Sequence, residues 1–131
     1  MPMLEWSETQ PRLELSTADE LDHAIERLAK RYTGERPAIV ALYAHGYQVL
    51  LGLGLPDSFV QVQQWDGPQT EPIFATVGDA KASGNVAFHF LGSRPTEIPK
   101  KHLIPAATAR RLAKQFLESG KRSTEVAWEE V

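Results

Sequence analysis

Hydrophobic residues near the start of the chain recur at the spacing of one face of an α-helix. The stripe consists of Leu21, Ile25, Leu28, Ala29 and Tyr32. Thr17 with Glu20 three residues later has the spacing of a capping box, in which each residue satisfies a free backbone N–H at the helix start. Gly34 is the predicted stop. The pattern therefore predicts an amphipathic helix that begins just after Thr17.

A second helical pattern lies near the end of the chain. Its apolar stripe consists of Ala109, Leu112, Ala113 and Phe116. Pro105 suits the first turn, where the missing N–H has no partner to lose. Gly120 suits the left-handed position that ends many helices. We expect a second amphipathic helix between these two residues.

The segment between the helices alternates like a series of strands separated by turns. Strands are predicted at residues 38–44, 47–53, 59–65, 73–77, 86–91 and, after the second helix, 124–130. Residues 92–103 contain prolines and are interpreted as a crossing segment. The glycines at 52 and 54 indicate a bulge or close packing in a strand, because they lack the third glycine and the following helix of a dinucleotide loop.

This order of elements predicts an α+β fold in a single domain spanning residues 1–131. The expected architecture is one mostly antiparallel sheet of about five to seven strands, with two amphipathic helices on one face. The residues expected to point towards the helices are Val60, Val62, Val86, Phe88 and Phe90. The alternating positions, Gln61, Gln63, Trp65 and His89, then lie on the opposite face.

Composition narrows the classes of function. The chain has 131 residues, a net charge of -3 and no cysteine, which excludes disulfides and thiolate chemistry. Residues 93–122 carry eight Lys or Arg against two acids, so one basic segment stands in an acidic chain. This segment could bind phosphate or form a solvated helix face. The negative net charge of the whole chain gives no reason to expect direct nucleic-acid binding.

The sequence also bears on the location of the protein. No stretch resembles a signal peptide or a membrane span. We therefore expect a cytoplasmic protein.

Motifs for catalysis, metal binding and cofactor binding are absent from the sequence. The four histidines do not pair at helical spacing, and no nucleophile elbow or phosphate loop occurs. We expect no metal and no cofactor. Four carboxylates near turns could converge as an acid–base pair, or could serve only as turn formers: Asp57, Asp66, Glu71 and Asp79. Trp65 among amides is typical of a binding patch, or it packs at a sheet edge.

Several short motifs, in order along the chain, resemble a known family. They include Trp65-Asp66-Gly67, Gly78-Asp79 and the segment IPAATARRLAKQFLESGKRSTEVAWEE, residues 104–130. Together they are similar to the bacterial immunity protein family one, encoded beside polymorphic toxins that often carry nucleic-acid deaminase domains. The resemblance implies a non-enzymatic inhibitor that binds one cognate toxin in the producing cytoplasm and occludes its active site.

If this resemblance holds, the partner-binding candidates are Asp57, Gln61, Gln63, Trp65, Asp66, Glu71, Asp79 and His89. The four acids are candidate contacts for a basic toxin surface, and Trp65 is a candidate anchor. Two other classes stay open. A small α+β enzyme or ligand-binding domain predicts a concave pocket with perturbed titratable groups. A structural adaptor predicts a long unpaired sheet edge.

Overall fold

A computed structural model describes residues 2–32 and 35–131. Within that part, the helices are α1 (Ala18–Arg31), α2 (Ala106–Ser119) and a short 3-10 helix (Lys100–His102). The strands are β1 (Met3–Glu5), β2 (Leu13–Glu14), β3 (Ala38–Ala44), β4 (Tyr47–Leu53), β5 (Asp57–Ser58), β6 (Val60–Gln64), β7 (Phe74–Val77), β8 (Asn85–Phe90), β9 (Arg94–Pro99), β10 (Ile104–Pro105) and β11 (Ala127–Glu130). None of the described helices has the length and apolarity needed to cross a bilayer.

The main sheet confirms the α+β prediction and is larger than expected. Its described strands number nine, in the order β11-β7-β6-β4-β3-β1-β2, with the β8–β9 hairpin attached to β3. Every pairing is antiparallel except that of β8 with β3. Strands β5 and β10 form a separate pair. The additional strands are short or proline-rich, which is why alternation in the sequence did not reveal them.

Helix α1 begins where the capping residues predicted. Thr17 has extended backbone angles, and its side chain accepts a hydrogen bond from the Glu20 N–H at 3.1 Å. Glu20 Oε1 in turn accepts from the N–H of Ser16 at 3.0 Å, one residue earlier than in the usual capping box. The predicted stop, Gly34, lies outside the described residues.

Helix α2 also has the predicted ends. Pro105 precedes its first turn, and Gly120 adopts the left-handed conformation with φ of 72°. The Gly120 N–H donates to the carbonyl of Phe116 at 2.8 Å. His45 Nε2 lies 2.7 Å from the carbonyl oxygen of Leu117. The β3–β4 turn is thus bonded to the end of α2, where carbonyl groups would otherwise lack partners.

Both helices pack on one face of the sheet, as predicted. The buried cluster on this face combines Leu21, Ile25 and Leu28 of α1, Leu112, Ala113 and Phe116 of α2, and Val40, Leu42, Val49, Leu51, Val60 and Val62 of the sheet. The apolar stripes read from the sequence are therefore the buried faces of the two helices.

The prediction that Val86, Phe88 and Phe90 also face the helices is wrong. Phe88 is fully buried in a second cluster with Ile39, Phe59 and Ile98, and Val86 and Phe90 pack against it. Strand β8 joins the sheet only through two residue pairs at the start of β3. The rest of the β8–β9 hairpin therefore folds across the face opposite the helices.

The glycine at position 52 is explained by close packing, which was one of the two sequence interpretations; the other was a bulge. A Cβ atom there would stand 2.5 Å from Cε2 of Phe88, well inside van der Waals contact. Leu51 and Leu53 on either side point into the helix-facing cluster. Gly52 therefore lets the Phe88 ring rest directly on the backbone of β4.

The interpretation of residues 92–103 as a crossing segment is wrong, because Arg94–Pro99 forms the edge strand β9. Its pairing with β8 is antiparallel over six residue pairs. Successive N–H groups of a strand point to opposite sides, and proline has none. Pro95, Glu97 and Pro99 therefore occupy the outer edge, where only Glu97 retains an N–H.

Candidate partner-binding surface

The β8–β9 hairpin leaves one part of the sheet uncovered on the face opposite the helices. Gln63 of β6 pairs with Gln48 of β4, which pairs with Tyr43 of β3, so their side chains share this face. Trp65 follows directly after β6 and is 45% exposed. Its ring meets that of Tyr43 edge-on, with 5.2 Å between the ring centroids.

Tyr43 is held by a network of polar contacts. Its hydroxyl donates to Glu5 Oε1 at 2.7 Å and accepts from Gln48 Nε2 at 3.0 Å. Arg12 lies over the ring at 4.3 Å and forms an ion pair with Glu5 at 3.7 Å. Burial, followed by the hydrogen bond to Glu5, raises the pKa of Tyr43 above its ordinary value. The phenol is therefore kept neutral.

We call the set Arg12, Tyr43, Gln63 and Trp65 the Trp65 surface, while Gln48, which is only 6% exposed, supports it through its bond to Tyr43. Two shallow depressions of about 480 and 610 Å³ flank it, and both are lined by Arg12, Tyr43 and Trp65. The first extends to His45 and Asp66, and the second to Glu8, Phe90 and Arg94. Trp65 therefore stands between two concave areas to which a protein partner can fit.

The four candidate acids do not converge. Asp66 and Glu71 follow β6 at the end of the sheet that carries the β3–β4 turn, whereas Asp57 and Asp79 lie at the opposite end. Asp79 Oδ1 accepts from the N–H of Lys81 at 3.0 Å, as a turn-forming aspartate does. Of these four residues, Asp66 adjoins the Trp65 surface.

Two other candidates lie apart from the Trp65 surface. Gln61 is half-buried opposite Leu50, which packs against the second cluster. His89 pairs with Ala38 at the far end of β3, where its Nδ1 lies 3.2 Å from the carbonyl of Pro37. Of the eight sequence-predicted residues, the structure thus groups Gln63, Trp65 and Asp66.

Sequence reasoning missed Arg12 and Tyr43. Tyr43 stands in the almost wholly apolar strand 38–44, which shows no alternation of polar and apolar residues, and Arg12 precedes the two-residue strand β2. The signal for Tyr43 was the two-residue turn His45-Gly46, which fixes Tyr43 opposite Gln48. For Arg12 no comparable signal exists, because β1 and β2 are too short to show alternation.

A third depression, a cleft, lies on the helix side of the same sheet end, between β7, β11 and the loop after α2. It measures about 630 Å³, and its apolar lining consists mainly of Tyr47, Val62, Phe74, Phe116, Val126 and Trp128. The Tyr47 hydroxyl donates to Glu71 Oε2 at 2.6 Å, and this bond is the main cause that raises the pKa of Tyr47. Arg122 stands at the cleft, which we call the Arg122 cleft.

The basic side of α2 is largely paired within the chain. Arg110 donates to the Asp22 carboxylate and, at 3.0 Å, to the Asp22 carbonyl. Lys114 Nζ lies 3.7 Å from Asp22 Oδ1. Arg111 binds the Glu125 carboxylate through two nitrogen atoms. These residues connect α2 to α1 and to the loop before β11, which favours a structural role over the phosphate site considered from the sequence.

Histidine and carboxylate side chains do not gather into a metal site in residues 2–32 and 35–131, where no three of them converge. The buried His102 instead pairs with Glu129, with 2.7 Å between Nε2 and Oε1. Lys101 Nζ lies 3.0 Å from the same oxygen. Lys101, followed by His102, lowers the pKa of Glu129. This group joins the 3-10 helix to β11.

These features define an α+β protein with an uncovered aromatic and polar sheet face. The family model described as Immunity protein Imm1 matches residues 10–130. The chain therefore belongs to the Immunity protein Imm1 family, which confirms the resemblance seen in the motifs and assigns it an immunity function against a toxin. No curated protein matches the chain.

Proposed function

We propose that the chain neutralises one cognate toxin, a nucleic-acid deaminase, by binding it and occluding its active site. The Trp65 surface is the contact region. The observation that carries this assignment is the 45% exposure of Trp65 beside Tyr43 and Arg12. Tryptophan, tyrosine and arginine are the residues that dominate binding energy at protein interfaces.

The protonation of two tyrosines that are hydrogen-bonded to glutamates supports a non-catalytic role. Tyr43 and Tyr47 line the depressions, and both have a raised pKa. A nucleophile or general base needs the opposite shift, because it has to be activated near neutral pH. Neither tyrosine is therefore prepared to act as a base, which supports an inhibitor that acts by occupying the toxin.

The resemblance to deaminase-associated immunity proteins supports the toxin class and a cytoplasmic site of action. A toxin that acts on nucleic acid needs a basic surface to hold its substrate. The net charge of -3 of this chain is complementary to such a surface and speeds the encounter. Asp66 is the candidate acid best placed to contribute, because it follows Trp65 directly.

The test uses the toxin domain encoded beside this gene, purified in a catalytically inactive form for calorimetry. We expect Trp65→Ala to weaken binding by about 30-fold or more, the range of an interface hot spot. Asp79→Asn, at the opposite end of the sheet, is the matched control and should leave affinity unchanged. Active toxin incubated with a single-stranded oligonucleotide should release less deaminated product when the wild-type chain is added.

Thermal unfolding of each variant separates a binding defect from a folding defect. Unchanged affinity of Trp65→Ala would show that the Trp65 surface is not the contact region. Tight binding to a toxin that still deaminates the oligonucleotide would contradict active-site occlusion. A neighbouring toxin without deaminase activity would contradict the toxin class alone.

A further inference from the structure

Arg122 forms no ion pair with a carboxylate among the described residues. Arg12, Arg94, Arg110 and Arg111 each form an ion pair with Glu or Asp. Arg122 instead lies over the ring of Phe74, with its Cζ 3.6 Å from the ring centroid, and 5.8 Å from that of Trp128. Its five N–H donors therefore stay available at the cleft.

The loop that carries Arg122 is fixed on both sides. Gly120 ends α2 in the left-handed conformation, and the Lys121 N–H donates to Ser119 Oγ at 3.1 Å. Trp128 Nε1 donates to the carbonyl of Ser123 at 2.8 Å. The stack on Phe74 then orients the guanidinium itself. A side chain ordered in this way loses little entropy when a ligand binds.

The cleft beneath Arg122 combines an aromatic wall with two cations, Lys121 and Arg122, and one anion, Glu71. Phe74, Phe116 and Trp128 supply apolar surface, while Glu71 is engaged by the Tyr47 hydroxyl. An ordered guanidinium beside apolar surface suits a carboxylate, which it can bind through two parallel hydrogen bonds. With Glu71 set against Lys121 and Arg122, the lining carries one net positive charge, which suits a single carboxylate better than a polyanion such as a nucleic-acid strand.

We propose that the Arg122 cleft receives an acidic side chain of the toxin, with a neighbouring apolar residue against the aromatic wall. This inference rests on the proposed function and adds a second contact to it. The two contact regions lie on opposite faces of the same sheet end, where Tyr47 lines both the Arg122 cleft and one depression that contains Trp65. A partner that wraps around this end of the sheet therefore reaches both.

The experiment compares Arg122→Gln, Arg122→Lys and wild type by calorimetry against the purified toxin domain encoded beside the gene. Arg122→Gln should weaken binding by at least about 10-fold, the range for an interface arginine whose partner loses its hydrogen bonds. Arg122→Lys should recover only part of the loss, because an ammonium cannot form the paired hydrogen bonds. Arg31→Gln is the matched control, since Arg31 also lies over two rings but lines none of the depressions described above.

A second measurement identifies the acidic partner. Each exposed Asp or Glu of the toxin is changed to its amide, and affinities are measured with wild type and Arg122→Gln. One carboxylate should give a double-mutant coupling that removes most of the Arg122 effect. Far-UV circular dichroism and thermal unfolding verify that each variant is folded.

Three results would overturn the proposal. Wild-type affinity in Arg122→Gln would refute the cleft while leaving the Trp65 surface in place. An Arg122 effect that couples to no toxin carboxylate would refute the acidic side chain. Binding of a 12-nucleotide single strand by the chain alone, lost in Arg122→Gln, would identify a nucleic-acid site instead. If the wild-type chain does not bind the toxin at all, both the proposed function and the proposal for the Arg122 cleft fail.

Discussion

At the scale of single residues, two glycines show how closely this fold brings its parts together. A Cβ atom on Gly54 would stand 1.6 Å from the carbonyl oxygen of Tyr32, and the φ angle of Gly54 is +107°. Backbone cannot withdraw from such a contact. At Gly52 the obstacle is the ring of Phe88, a side chain, so the conflict there can be relieved by a second substitution.

Gly52→Ala should destabilise the protein by about 1–3 kcal/mol, because the added methyl group overpacks the second cluster. Phe88→Leu should relieve this conflict, so that the double variant is less destabilised than the sum of the two single variants. Urea unfolding followed by circular dichroism measures all three. Strict additivity would show that the ring does not rest on Gly52.

At the scale of elements, the two helices are joined through charge as well as through their apolar stripes. Arg110 of α2 donates to the carboxylate of Asp22 in α1, and this bond lowers the pKa of Asp22 below its ordinary value of 3.8. The folded state therefore binds a proton at Asp22 more weakly than the unfolded state. The resulting stabilisation is complete above pH 3.8 and is lost as the pH falls through the lowered pKa.

Asp22→Asn should make the fall of the melting temperature below about pH 4 less steep than in wild type. At pH 7 the variant should lose about 1 kcal/mol, since the pair is partly exposed to solvent. Arg110→Gln should flatten the same acid limb, because it removes the cause of the shift. If the melting temperatures of wild type and Asp22→Asn fall in parallel across pH 3–6, this role of Asp22 is contradicted.

Helices and strands whose hydrophobic residues recur at a regular spacing could be predicted from the sequence. Features that depend on how strands pair with one another could not. The prediction for β3 and β4 is confirmed to the residue, and α2 has its predicted ends. Pro95 and Pro99 hid β9, because proline is typical of breaks in a strand. Alternation placed Gln63 and Trp65 on the free face. The alternation of residues along one strand does not reveal how the strands pair with one another. That pairing is what separates Asp57 and Asp79 from Asp66.

At the scale of the whole molecule, the sheet has an apolar cluster on each face. Strand β4 contributes Val49 and Leu51 to the helix side, while its Leu50 packs on the other side. The same strand backbone therefore supports both clusters. Loss of either cluster should weaken the whole molecule rather than one layer.

Phe88→Ala should cost about 3–5 kcal/mol, the range for deleting a buried aromatic ring. Trp6 and Trp128 pack against the opposite cluster, and in a Trp65→Phe background the fluorescence reports on these two alone. We expect their unfolding midpoint in urea to fall together with that of circular dichroism, in one transition. A tryptophan signal that keeps its wild-type midpoint would show that the two clusters unfold independently.

The proline pair of β9 limits how another chain can contact this edge of the sheet. Because Pro95 and Pro99 leave only the Glu97 N–H on the outer edge, a foreign strand cannot extend the sheet there. A partner that approaches this edge has to be distinguished by side chains. Side chains can be exchanged one at a time without breaking main-chain hydrogen bonds. Point substitutions of such side chains therefore leave the backbone pairing of the sheet unaltered.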